Sequence, residues 1–455
     1  MIMPPENADP SAPPPTAPVA VSFGDAFVFW LKLGFISFGG PAGQIAIMHQ
    51  ELVEKRRWIS ERRFLHALNY CMVLPGPEAQ QLATYIGWLM HRTWGGIVAG
   101  SLFVLPSLFI LIALSWIYLA FGDAPLVAGL LYGIKPAVTA VVLFAAYRIG
   151  SRTLRNPALW AMAAGAFLAI FVFDVAFPLI VLGAAVIGAV GGRWVPAWFA
   201  VGSGHDSDKN YGPAFIDDDT PPPDHARFSW RRLVLVLGIG IGIWALTIGS
   251  LFALSGTNSV LTTMAWFFTK AALLTFGGAY AVLPYVVQGA VEQHHWLSAT
   301  QMIDGLALGE TTPGPLIMVV AFVGFVGGWT QAALGPDAPV LAGVVAATVV
   351  TFFTFLPSFV FIFLGGPLVE TTHQQPHLTA PLTGITAAIV GVILNLAMFF
   401  AWHVLLPTGP GGPFEWPLAI IGIIALVALF RFRIGIIPVI AACGAAGLIV
   451  RMVAG

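Results

Sequence analysis

From Ile97 to Phe121 the chain reads IVAGSLFVLPSLFILIALSWIYLAF, without one charged side chain. At about 1.5 Å of rise per residue, a helix of that length spans the roughly 30 Å hydrocarbon core of a bilayer. Apolar stretches recur at 24–54, 62–91, 97–121, 125–149, 156–173, 175–192, 232–254, 260–292, 300–329, 338–364, 378–405, 415–430 and 434–452. Only 9% of the 455 residues are charged and 58% are hydrophobic, where a soluble domain carries roughly 25% charge. Too little polar surface remains to face water, so lipid must cover the outside. The expected fold class is an all-α polytopic membrane protein.

Four of these stretches, 24–54, 62–91, 260–292 and 300–329, exceed one span and contain Gly/Pro breaks. Each is expected to be a re-entrant hairpin of two shorter helices. Residues 1–22 are rich in Pro and Ala and lack Lys and Arg, so they have no basic n-region of a signal peptide and read as a disordered cytoplasmic tail. The stretch 194–230, with Asp217-Asp218-Asp219, reads as a flexible cytoplasmic linker between a first repeat at 23–193 and a connecting helix at 231–255. A second repeat occupies 256–455. A net charge of -1 argues against nucleic acid as a partner. Cys71 and Cys443 stand in apolar runs without metal-ligand spacing; no metal and no cofactor is expected.

The first part of the repeat is visible without any gap. Placing Phe38-Gly39-Gly40 over Phe276-Gly277-Gly278 sets an offset of 238, which also brings Lys32 onto Lys270, Gln50 onto Gln288, Trp58 onto Trp296, Ser60 onto Ser298 and Pro75-Gly76-Pro77 onto Pro313-Gly314-Pro315. Further on, the offset rises by 13, and Leu105-Pro106-Ser107 falls on Leu356-Pro357-Ser358. Basic residues mark the first repeat's loops, at Lys55-Arg56-Arg57, Arg62-Arg63, Arg92, Arg148, Arg152, Arg155 and Arg193. The second repeat has Gln293-His294-His295 and Thr300-Gln301 where the first has its basic clusters. Basic loops stay cytoplasmic, so the repeats are expected in inverted topology, with the N-terminus and central linker in the cytoplasm. Secondary transporters recurrently use this design, with a midplane site built from broken helices.

Helices that restart after Gly39-Gly40-Pro41, Gly76-Pro77, Gly277-Gly278 and Gly314-Pro315 would point free N–H groups, and about half a positive charge each, into the protein. Lys32 and Lys270 stand in apolar runs six residues before each FGG motif, where an unpaired lysine costs roughly 2.5–3.5 kcal/mol; snorkelling to a headgroup is the alternative. The candidate anion-binding set is Lys32, Ser37, Gly39, Gly40, Gln44, Pro75, Gly76, Pro77, Gln81, Lys270, Thr275, Gly277, Gly278, Thr311, Thr312, Pro313, Gly314 and Pro315, a cage suited to a tetrahedral dianion. Glu78 and Glu310 are candidates to exchange a proton, or fixed partners for a lysine; Asp304 and Lys135 are weaker candidates, and Gln80 and Gln81 could donate to an oxyanion or bond a neighbouring helix.

The run FGGPAGQIAIMHQELVEKRRWISERRFLHALNYCMVLPGPEAQQLATYIGW, residues 38–88, resembles the signature of the chromate ion transporter family in its long-chain, two-domain form. TFGGAYAVLPYVVQ (275–288) and TTPGP (311–315) are similar to its second-half version, although Ala279 replaces Pro41 and Leu316 replaces Glu78. The resemblance implies gradient-driven export of chromate across the cytoplasmic membrane and chromate resistance; sulfate or another divalent oxyanion is the alternative cargo. A homodimer is possible. No HExxH, GxSxG or Walker pattern is present, which argues against an enzyme.

Overall fold

In the computed structural model, which describes residues 20–199, 211–221, 223–371 and 379–454, the chain is helical from end to end and no strand occurs among those residues. Residues 1–19 of the expected tail and 200–210 of the expected linker lie outside the described residues. The first repeat holds α1 (Phe23–Ile36), α2 (Gly40–His49), a π-helical turn (Gln50–Lys55), α3 (Glu61–Val73), α4 (Glu78–Phe121), α5 (Pro125–Thr153), α6 (Pro157–Phe173) and α7 (Phe177–Trp194). A short α8 (Pro196–Phe199) and the linker lead to α9 (Trp230–Ser255). The second repeat holds α10 (Val260–Leu274), α11 (Ala279–Val287), a second π turn (Gln288–Gln293), α12 (Ala299–Thr311), α13 (Val319–Thr330), α14 (Pro339–Thr371), α15 (Thr379–Leu405), α16 (Trp416–Phe430) and α17 (Ile436–Ala454). Among the described residues, seven helices are long and apolar enough to cross a membrane.

The duplication extends to backbone detail. Both π turns sit at the offset of 238, and each is followed by a residue in the left-handed region, Arg57 and His295, at φ 52. Trp58 N–H donates to Leu52 O and Trp296 N–H to Ala290 O, both at 2.8 Å. Ser60 caps α3 and Ser298 caps α12. Each tryptophan then packs edge-on against the first helix of its own repeat, Trp58 on Phe29 and Trp296 on Phe267.

Helix α4 is two arms. His91 and Arg92 leave helical geometry, and a Cβ on Gly87 would lie 2.5 Å from the Ala99 side chain, a pair about 18 Å apart in a straight helix. Residues 78–90 therefore fold back along 93–121, with Gly87, Gly95, Gly96 and Gly100 allowing the close approach.

Contacts at the open ends show that the broken segments turn back. The Phe23 ring lies 5.5 Å from His91, His225 of the linker bonds Trp88 O at 2.8 Å, and Ser60 donates to Asp218 at 2.6 Å. Residues 22–23, 56–60 and 88–92 thus share one end of the molecule with the linker, and the hairpins expected at 24–54 and 62–91 are present. In the second repeat Thr330 and Gln331 donate to Trp296 O and His295 O, each at 3.1 Å, so its two broken segments also open together. Helix α9, about 39 Å long at helical rise, carries the chain from the linker end to the opposite end, and α10 returns alongside it, with Trp244 bonded to Thr269 at 3.0 Å. The repeats run through the molecule in opposite directions.

The linker differs from the expectation of a free tether. Phe215 and Ile216 N–H donate to Arg57 O and Trp58 O, Ser60 N–H donates to Ile216 O, and Ile216 and Ala226 are buried in the first repeat's core. Hydrophobic anchors between the polar residues supply what the charge run hid. Burial holds the His225 ring below its ordinary pKa, helped by Arg92 and Arg232 and opposed by the Trp88 carbonyl bond and Asp224. The docked state therefore binds fewer protons than the released one, so its stability is complete above the ordinary histidine range and declines as pH falls through it. Proteolysis within 211–229 is expected to accelerate on mild acidification, and His225→Gln, which keeps a donor but cannot titrate, is expected to flatten that response.

Candidate functional site

The four Gly/Pro breaks meet at one junction, buried at Gly76, Pro77 and 312–318 and open at Gly39. Gly76 N–H donates to Thr275 O at 2.7 Å, and Gly314 N–H donates to Ser37 O at 2.8 Å. Each repeat's second break thereby bonds the other repeat's first break, the self-complementary pattern of a two-fold interface. Proline on both sides of each glycine stops the helix and restarts it, so α4 and the turn leading into α13 begin at this junction with unsatisfied N–H groups. Gly76 (φ 132) and Gly314 (φ 102) adopt backbone conformations that favour glycine. They are also crowded. A Cβ on Gly76 would lie 2.4 Å from Ser358 Oγ, and one on Gly314 would lie 2.7 Å from the Ser107 side chain.

The expected site residues divide. Gly39, Gly40, Gly277 and Gly278 hold positive φ at the two first breaks, and Pro75, Pro77, Pro313 and Pro315 flank the two second ones. Gln44 is buried and donates to Gly314 O and to Ser37 O; Gln81 is buried and donates to Pro75 O at 2.8 Å. The hydroxyls of Ser37, Thr275, Thr311 and Thr312 all donate to carbonyls of their own preceding helices. Their protons are spent on the backbone, so the structure does not leave them as anion donors. Lys32 and Lys270 are exposed on the surface, not gathered at the buried second breaks around Gly76 and Gly314. A helix that is apolar on every side gives the sequence no face on which to place a lone lysine, and the snorkelling alternative fits both.

The carboxylates converge on one place. Glu78 Oε1 lies 3.8 Å from where a Cβ of Gly278 would stand, at the start of α11. Buried Glu310 accepts from the hydroxyl of Tyr280, in the first turn of the same helix. Asp304, expected near a helix end, sits buried inside α12, with Lys135 at 3.9 Å and the Tyr118 hydroxyl at 3.0 Å.

Two residues were missed. Ser107 and Ser358 are each 1% exposed, occupy equivalent places against the opposite repeat's glycine, and their Oγ atoms have no hydrogen-bond partner among the described residues. The signal was present in the registered Leu105-Pro106-Ser107 and Leu356-Pro357-Ser358 motifs. The side-chain oxygens of Gln44, Gln80 and Gln81 are likewise buried and unpartnered. An apolar junction crossed by unsatisfied polar atoms is costly unless a ligand completes it.

The profile of the chromate transporter family matches residues 24–189 and 262–448, one block in each repeat. The chain belongs to the chromate transporter family. This chromate transporter family member is 31% identical to a chromate transport protein of Pseudomonas aeruginosa over 97% of its own length and 94% of the relative's. It is 27% identical to a chromate transport protein of Cupriavidus metallidurans over 89% of this chain and 87% of that one. A probable chromate transport protein of Synechococcus elongatus shares 28% over 89% and 88%. These relatives are named as transport proteins. No solved structure matches the chain. In this family member, both matched blocks contain an FGG break and a PGP break, the segments that bond across the junction.

Proposed function

We propose that the chain is a gradient-driven secondary transporter that carries chromate out of the cell across the cytoplasmic membrane. The observation that carries this reading is the junction, where two oppositely directed repeats bond to each other through broken helices and enclose unpartnered polar atoms. Transporters built from inverted repeats bind cargo at such a place and alternate access by moving one repeat against the other. The names of the relatives supply chromate as the cargo. The linker end carries Arg56, Arg57, Arg62, Arg63, Arg92, Arg231 and Arg232, which supports a cytoplasmic linker and N-terminus. Glu78 and Glu310, which approach the same helix start, serve as the proton-exchanging pair in this reading.

Cells expressing the protein are expected to retain less chromate than cells without it, and Ser358→Ala is expected to raise retention toward the empty-vector level at equal protein abundance. Equal retention with and without the wild-type protein would remove chromate export. Proteoliposomes loaded with sulfate in place of chromate test the alternative cargo in the same assay.

A further inference from the structure

We infer that the oxyanion binds at the first repeat's PGP tip, and in its monoprotonated form. This rests on the oxyanion reading above and adds the place and the chemical species.

The two tips share a backbone but not a chemistry. At the offset of 238, Glu78, Ala79, Gln80 and Gln81 face Leu316, Ile317, Met318 and Val319. The second tip has no side chain able to hydrogen-bond in its first turn, and the polar side chains set against it, Gln44 and Ser107, both come from the first repeat. At the first tip, Ser358 Oγ and the Gln81 amide both crowd Gly76. Gln80 stands beside Gly100 together with the ring of Phe359, the neighbour of Ser358. Gln80 and Gln81 are 0% exposed and Ser358 is 1% exposed.

The hydrogen-bond inventory then selects the ligand. Gln80 Nε2 is engaged with Thr84 at 2.9 Å and Gln81 Nε2 with Pro75 O at 2.8 Å, while both amide oxygens and Ser358 Oγ have no partner among the described residues. The start of α4 and the Ser358 hydroxyl offer donors, which suit the anionic oxygens. The two amide oxygens are acceptors. A bare dianion would leave them unpaired and turned toward its charge; an anion carrying one O–H satisfies one of them directly. Chromate takes up a proton near neutral pH, whereas sulfate and selenate do so only in strong acid. A site built to receive a ligand O–H rejects the analogue lacking it far more strongly than one that reads size.

The titratable groups facing this tip are Glu78 itself and, on α3, the Cys71 thiol within electrostatic range of it; α14 presents Ser358 and Phe359, the arm 93–121 presents Gly100, and the α10–α11 break presents Thr275 and Gly278. Protonation of Glu78 would favour any anion, so a size-matched anion without a proton separates the two effects. The test is equilibrium binding of chromate and of selenate to the purified full-length protein in detergent, at mildly acidic and at alkaline pH. Chromate is expected to bind about tenfold tighter at acidic pH, the effect of one buried hydrogen bond, with selenate weak at both. Selenate tracking chromate, or chromate tightening as pH rises, would overturn the inference. Failure of both anions to bind at either pH would instead overturn the oxyanion reading on which it rests. In the variants Gln80→Met and Gln81→Met, chromate is expected to lose its acid preference with selenate unchanged.

Discussion

Gly76→Ala is expected to abolish transport and to lower stability by about 2–5 kcal/mol, adding the strain of a side chain in a glycine-only conformation to an overpacked contact. The new Cβ would lie 2.4 Å from Ser358 Oγ and 2.6 Å from Gln81 Nε2 at φ 132. Relief by retreat is closed, because Gly76 N–H is tied to Thr275 of the other repeat. Thermal unfolding in detergent measures the loss. Adding Ser358→Gly is expected to recover part of the steric cost and leave the Gln81 contact and the backbone strain. Gly40→Ala provides the contrast, since φ is 70 there but no atom stands within 4 Å of the new Cβ; it is expected to cost about 1 kcal/mol. If Gly76→Ala melted and transported like the wild type, the interlocked junction would be wrong.

Arg63→Ala is expected to cost stability on a similar scale. Arg63 pairs with Glu370 at 3.3 Å, with side chains 15% and 7% exposed, and the Tyr85 hydroxyl donates to the same carboxylate at 2.5 Å. This cluster ties α3 and the first arm of α4 to the end of α14, across the two repeats, and Arg63 also donates to Thr220 O of the linker. Removing the guanidinium leaves a buried carboxylate with one neutral donor among the described residues, Tyr85, which costs about 3–5 kcal/mol. Glu370→Gln in the same chain is expected to restore part of that loss, since the amide no longer requires a cation. A double-mutant cycle on unfolding temperature reads the coupling, and additive losses would show the pair to be energetically idle.

Much of the architecture was legible because membrane burial leaves few choices. Long apolar runs set the helices, the FGG and PGP triplets marked the four breaks, and a constant offset fixed which parts correspond. Basic residues at Lys55-Arg56-Arg57 and their replacement by Gln293-His294-His295 gave the opposed directions. The site was legible only in its backbone. Which way Lys32 points is not encoded in a segment such as FVFWLKLGFI, whose faces are all apolar. The hydroxyls of Ser37 and Thr275 looked like donors, but in a helix the carbonyl four residues back is always within their reach. Ser107 and Ser358 were hidden for the converse reason: a single serine after a proline in an apolar run has no periodic signal, and its role arises only when the other repeat brings a glycine against it. The linker misled through composition, because a few buried residues such as Ile216 outweigh a solvated run of aspartates.

The paired bonds from Gly76 to Thr275 and from Gly314 to Ser37 have matched lengths. A clasp gripped by one backbone bond on each side would hold its two doors with similar latches. In the transport cycle proposed above, similar latches would leave the sense of net flow to the ionic imbalance across the membrane, and reversing that imbalance is expected to run the cycle backwards.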